Sequence, residues 1–183
     1  MKILALVGKA RSGKNTAAEF LLGEGYEFLE SFAGPLKEAA QIIFNLTEDE
    51  VNGLGYDREQ PTDWGFSVRE ILQKLGTESI RDVFGQEHWV DLMRCRLTEL
   101  ELTPCEGVII TDARFENEVQ LVHEFGGTVL GLERPGFESN VRAHSSEAMA
   151  SGNLADVCDF VISARSVEEL HAELARAREG LLL

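Results

Sequence analysis

The sequence predicts an α/β fold of three layers, with a mostly parallel central sheet between helices. Three observations carry this expectation. Short, continuous apolar runs at ILALV (3–7) and GVIIT (107–111) have the pattern of strands buried on both faces. Such runs alternate with segments whose apolar residues recur at helical spacing, and no internal repeat or low-complexity linker breaks the alternation. The 183 residues, 44% of them hydrophobic, fit a single domain, 1–183, able to bury a real core.

ILALV supplies the first strand. A helix is expected from about Lys14, with Ala17, Phe20 and Leu21 on one face and Gly23 ending it. YEFLESF (26–32) alternates as a strand does, and Pro35 suits the first turn of a helix running to about Phe44. Segment 45–65, with Gly53, Gly55, Pro61 and Gly65, reads as loops. Helical patterns follow at about 67–80 and 86–101. GVIIT, GTVLGL (127–132) and DFVIS (159–163) are the later strands. Ser166 and Glu169 have the spacing of a capping box for a last helix, in which Leu170, Leu174 and Ala177 share a face.

Charge narrows the ligand. Seventeen Lys+Arg against 32 Asp+Glu give a net charge of −15, and a surface that acidic repels a polyanion. Duplex nucleic acid is therefore not expected as a partner, whereas a small phosphorylated ligand is compatible if the few cations gather in one cleft. The EDE run at 48–50 reads as a solvated face. Met1 and Lys2 lead straight into ILALV with no leader, and no apolar run reaches spanning length, so a cytoplasmic protein without a membrane partner is expected. Cys95, Cys105 and Cys158 are odd in number and lack metal-ligand spacing, which reads as reduced, buried thiols.

The chemistry starts at VGKARSGKNT (7–16). Gly8, four residues, then Gly13-Lys14 follow the first strand and open a helix, the context of a phosphate-binding P-loop. Backbone N–H groups from Arg11 and Ser12 to Thr16 would cradle phosphates, and Lys14 would reach the β and γ oxygens. The residue after the lysine is Asn15 where Ser or Thr is usual. Thr16, one position later, resembles the Gly-Lys-x-Thr form of nucleoside monophosphate kinases, so the loop reads as specialised. Asn15 and Thr16 are the candidate metal neighbours, through an amide oxygen or hydroxyl acting on Mg²⁺ or its waters. The metal itself is expected to be held mainly by nucleotide and water.

An acceptor is expected beyond the second buried strand, where TDARFENE (111–118) begins. In an open parallel sheet, ligands bind past the carboxyl ends of strands, which puts Asp112 and Arg114 on the P-loop side. Asp112 would orient substrate or a metal-bound water, and Arg114 would neutralise transferring phosphate. On the helix at 67–80, Arg69, Gln73 and either Gly76 or Thr77 recur at i, i+4 and i+7 or i+8, presenting a cation, an amide and a gap or hydroxyl. Trp89 offers an aromatic plane for a base. RPGFESNVRAHSSE (134–147), with Arg134, Arg142 and His144, suits a lid of about 134–150 that closes over phosphates.

Taken together, KARSGKNT, FAGPLKE (32–38), VREILQKLGTE (68–78), GQEHWV (85–90), TDARFENE and RPG with HSSE resemble the bacteriophage deoxynucleoside monophosphate kinases, in the same order and across most of the chain. The resemblance implies an adenylate-kinase-like P-loop NTPase fold with a helical monophosphate-binding region of about 35–100 and a lid. It implies transfer of the γ-phosphoryl of ATP to a deoxynucleoside 5′-monophosphate with Mg²⁺, and a possible homodimer, in the host cytoplasm if phage-encoded. Carried over by position, Arg11, Gly13, Lys14, Asn15 and Thr16 fall in the ATP site. Lys37, Arg69, Gln73, Gly76, Thr77, Trp89, Asp112, Arg114 and Glu118 fall where such kinases hold the monophosphate. The family pattern has Asp where this chain has Asn15, which puts direct metal ligation there in question, and the chain looks shorter than some relatives around 45–65. Other P-loop kinases, acting on a dephospho-coenzyme or phosphomevalonate, and a nucleotide-binding switch with no acceptor are the competing readings.

Overall fold

The structure, a computed structural model, describes residues 1–136 and 153–180. It divides into two units, Met1–Ser31 with Arg94–Leu183, and Phe32–Met93. The first unit is built on a five-stranded sheet in the order β2-β3-β1-β4-β5. Its strands are β1 (Lys2–Val7), β2 (Phe28–Glu30), β3 (Gly107–Ile110), β4 (Thr128–Glu133) and β5 (Phe160–Ser163). Every pairing is parallel, as the continuous apolar runs predict: β1 lies between β3, with Ala5 opposite Ile110, and β4, with Val7 opposite Gly131.

Helices cover both faces. Helix α1 (Lys14–Leu21) and the C-terminal helix α8 (Val167–Glu179) pack on one face, where Ala17, Leu21, Leu170 and Leu174 meet Leu4, Leu6, Leu130 and Leu132. The alternate β1 positions Ile3, Ala5 and Val7 are equally buried, and α7 (Glu116–Glu124) lies against β1 and β4 with Val119, Leu121 and Val122 buried. Ser166 accepts from the Glu169 N–H to start α8, while the Glu169 carboxylate takes the N–H of Arg165, so the Ser166 half of the expected capping box is present.

The second unit has its own core of Ala40, Leu46, Val51, Val68 and Ile71. It comprises α2 (Gly34–Phe44), α3 (Glu48–Asn52), α4 (Val68–Gln73), a π-helix over Lys74–Arg81, the short α5 (Asp82–Phe84) and the start of α6 (His88–Glu101). Two expectations change here. Segment 45–65 holds a helix, because Thr47 and Glu50 form a reciprocal capping box and EDE supplies acidic groups to a first turn that favours them. The stretch 67–80 is not one α-helix: Ser67 and Glu70 cap α4, but from Lys74 the winding loosens and the Asp82 N–H reaches back five residues to the Thr77 carbonyl. The cysteines also depart from a uniformly buried set. Cys95 is exposed, Cys105 and Cys158 are partly buried, and all three are free thiols. No helix among the described residues is long and apolar enough to cross a membrane.

Candidate active site

The loop between β1 and α1 is shaped by two close approaches. A Cβ on Gly8 would lie 2.5 Å from the Leu132 carbonyl oxygen and 2.5 Å from the Ser12 hydroxyl, so only glycine lets the loop turn there. Gly13 caps α1 at φ 101°, a left-handed conformation that side-chain-bearing residues rarely adopt. Arg11 also sits at positive φ, 65°, which costs on the order of 1 kcal/mol for a residue with a side chain. The loop is thus held in a strained form by its surroundings, as functional turns often are.

Three features of this turn suit an anion. No side chain caps α1 and its first turn has no acidic residue, so no carboxylate opposes the positive end of the helix dipole there. Lys14 folds back along the loop, its ammonium donating to the carbonyls of Gly8 at 2.7 Å and Lys9 at 2.9 Å. The Ser12 hydroxyl is buried and, among the described residues, has no hydrogen-bond partner. An orphaned buried hydroxyl costs roughly 1–3 kcal/mol. A phosphate seated on the loop fits this set of donors. For a cation the donors are sparser: no cluster of His, Cys, Asp and Glu among the described residues could hold a metal, so a magnesium ion fits here only as a companion of the phosphates, with Asn15 exposed and Thr16 half-buried at the loop's end.

Topology gathers further charge beside the loop. β3 and β4 flank β1 in parallel, so the residues after their carboxyl ends leave the sheet at the edge that carries the P-loop. Asp112 and Arg114 follow β3, and Arg134 follows β4. Glu118, expected as a substrate contact, has a different role in this geometry. Its carboxylate is 2% exposed and accepts the N–H of Arg114 at 2.7 Å and of Phe115 at 3.2 Å, so it fixes the turn bearing Arg114 and starts α7. Arg142 and His144, with the body of the expected lid, lie outside the described residues.

The second unit presents the other predicted set. Lys37, on α2, donates to the Asn52 side chain at 3.0 Å. Arg69, on the first turn of α4, takes the Arg58 carbonyl on its N–H and sets its guanidinium 3.5 Å from Glu59. Gln73 and Thr77 are half-buried. Two members of the set face inward instead. A Cβ on Gly76 would meet Leu36 at 2.8 Å, so the missing side chain admits Leu36 and not a ligand. Trp89 is 8% exposed and its indole N–H donates to the Gly76 carbonyl at 3.0 Å, which makes it a core anchor and not an open plane for a base. Arg81, 5% exposed at the end of the π-helix, has no motif that marks it in the sequence. Its one visible signal is its place four residues past Thr77.

The chain is similar to known proteins over most of its length. A family model described as deoxynucleotide monophosphate kinase matches residues 2–65 and 61–174. A protein of Acanthamoeba polyphaga mimivirus, provisionally named a deoxynucleotide monophosphate kinase, is 30% identical over 184 residues, covering 95% of this chain and 94% of the relative. The deoxynucleotide monophosphate kinase of Enterobacteria phage T4 is 25% identical over 240 aligned residues, 95% of this chain and 97% of its own. That alignment exceeds the 183 residues of this chain, so the phage relative carries insertions, and the two family-matched stretches meet at 61–65, inside the segment that reads as short. Among solved structures, dephospho-CoA kinase from Campylobacter jejuni superposes with a TM-score of 0.55 at 15% identity, covering 99% of this chain and 98% of the other. Shikimate kinase from Aquifex aeolicus gives 0.53 at 15% identity, with 99% and 98% covered. These two show the three-layer P-loop kinase fold.

Proposed function

This chain belongs to the deoxynucleotide monophosphate kinase family, and from that membership and the β1–α1 loop we propose that it transfers the γ-phosphoryl group of ATP to a deoxynucleoside 5′-monophosphate, giving the diphosphate and ADP. The observation that carries the reading is the loop itself: an uncapped helix N-terminus, an orphaned Ser12 hydroxyl and the Lys14 ammonium lie on one turn, and the first turn of α1 has no acidic side chain. The acceptor's attacking oxygen is already anionic at neutral pH, so no strong base is required, and catalysis is alignment with charge neutralisation.

In this reading Arg11, Ser12, Gly13, Lys14, Asn15 and Thr16 hold the donor phosphates. Arg114 and Arg134 counter charge on the transferring group, with Arg142 of the lid segment joining them. Asp112 orients the acceptor. The second unit serves as the acceptor-binding region, with Lys37 and Arg69 as phosphate cations and Gln73 and Thr77 as the polar groups for sugar or base. Magnesium, when bound to the nucleotide, supplies neutralisation of the β and γ oxygens. The working compartment is the cytoplasm, where ATP and reduced thiols coexist. A homodimer is part of the proposal, and light scattering on the full chain giving the single-chain mass would remove it.

The reading is tested by ADP release from ATP and Mg²⁺ across dTMP, dGMP, dCMP, dAMP, 5-hydroxymethyl-dCMP and the matching ribonucleotides. Stimulation by one or more deoxynucleotides is expected. Flat turnover across the panel while ATP still binds would remove the acceptor, in favour of another small acceptor or a switch.

A further inference from the structure

We propose that Arg81 is a positioning residue for acceptor recognition: it holds the π-helix of the second unit wound so that Thr77 lies in line with Arg69 and Gln73. The inference rests on the acceptor role given above to that face. In continuous α-winding at about 100° per residue, Gly76 would fall about 40° to one side of the Arg69–Gln73 row and Thr77 about 60° to the other. A π-turn takes more residues per revolution, as the Asp82 N–H to Thr77 carbonyl bond records. Over Lys74–Arg81 this brings Thr77 under the Arg69–Gln73 row and rotates Gly76 inward, where Leu36 and Trp89 meet it.

Eight residues of π-helix are rare and need external support, because the α-winding is ordinarily preferred. Support is visible at both ends. At the near end, the Trp89 indole holds the Gly76 carbonyl and Leu36 fills the space a Cβ would take. At the far end, the Arg81 guanidinium donates to the Gln86 carbonyl at 3.2 Å and the Gln86 amide returns a bond to the Arg81 carbonyl at 3.4 Å. Burying a guanidinium is costly, and an apolar residue of similar size would close a core more cheaply. The bond to the Gln86 carbonyl is part of what offsets that cost.

The experiment is steady-state kinetics on the full chain with its best deoxynucleotide, for wild type, Arg81→Met, Arg81→Lys, Gln86→Ala, Thr77→Val, and the two doubles that join Thr77→Val to Arg81→Met and to Gln86→Ala. Arg81→Met is expected to raise KM for the deoxynucleotide about tenfold while KM for ATP stays within about twofold, and Arg81→Lys, which keeps a donor for the Gln86 carbonyl, is expected to recover most of the loss. Because Arg81 acts through Thr77, each double is expected to be no worse than the poorer of its singles. Effects that multiply in the doubles, or equal losses for both substrates, would overturn the proposal. Should Arg81→Met not fold, Gln86→Ala at its exposed position decides the question through the same cycle. A wild type with no deoxynucleotide-stimulated turnover would instead remove the acceptor reading itself, whereas an active wild type with unmoved KM in the variants removes only the role of Arg81.

Discussion

Lys14 is the side chain on which the proposed chemistry turns most, its ammonium lying along the loop between β1 and α1. Lys14→Ala is expected to lower kcat by at least about 10²-fold, the scale of losing one preorganised charge donor, with an unchanged far-UV spectrum. Near-normal turnover would remove the P-loop assignment. Arg69→Ala is expected to raise KM for the monophosphate well beyond any change for ATP, and equal changes would argue against an acceptor contact. Thiol labelling gives an independent check of the packing. Burial, with a smaller contribution from the Asp159 carboxylate, pushes the Cys158 thiol up to about 11, so at pH 8 exposed Cys95 should react with iodoacetamide well before Cys158. The P-loop residues were legible in the sequence because their backbone context is local. Glu118 and Trp89 were not, since whether a carboxylate meets a ligand or its own turn, and whether an indole is open or buried, is decided by partners that no spacing encodes.

The capping boxes make a prediction at the level of elements. The Ser67 backbone N–H, and then its hydroxyl, hold the Glu70 carboxyl below its ordinary value, and Thr47 does the same for Glu50. A carboxylate whose folded pKa is lowered contributes stability above its unfolded pKa and loses it as pH falls through the folded value. Thermal melts should therefore show α3 and α4 weakening as pH drops below the ordinary glutamate range, and Glu70→Ala should flatten part of that dependence; a variant with the same acid slope as wild type would contradict the caps' role. The strands and α1 were legible from their apolar period, α2 from Pro35 in its first turn, and the last helix from its Ser166 cap together with its apolar face. The π-helix was not, because apolar spacing cannot distinguish i→i+4 from i→i+5 winding, and two of the groups packed on it, Leu36 and Trp89, come from other elements. Helix α3 was missed in a segment dominated by Gly53, Gly55, Pro61 and Gly65, although the Thr47–Glu50 box was there to be read.

On the scale of the molecule, a net charge of −15 coexists with a phosphate-binding reading because Lys9, Arg11 and Lys14 crowd one turn and Arg114 and Arg134 leave the same sheet edge. Duplex DNA, repelled by the rest of the surface, should leave turnover unchanged even in excess at low salt, and inhibition there would reveal a basic track. The two units carry separate cores, the first joining the sheet to α1 and α8 and the second joining α2, α3 and α4. A deoxynucleotide that binds the folded second unit should raise its thermal stability by mass action, about 2.7 kcal/mol at a hundredfold excess over Kd. The most direct measurement follows the phosphoryl group itself: wild type and Lys14→Ala are incubated with ATP labelled at the γ-phosphate and with the preferred deoxynucleoside monophosphate, and the products are resolved by mass. Label is expected in the β-phosphate of the deoxynucleoside diphosphate for wild type and none for the variant, whereas label appearing only as inorganic phosphate would mean hydrolysis without transfer and rule out the kinase reaction.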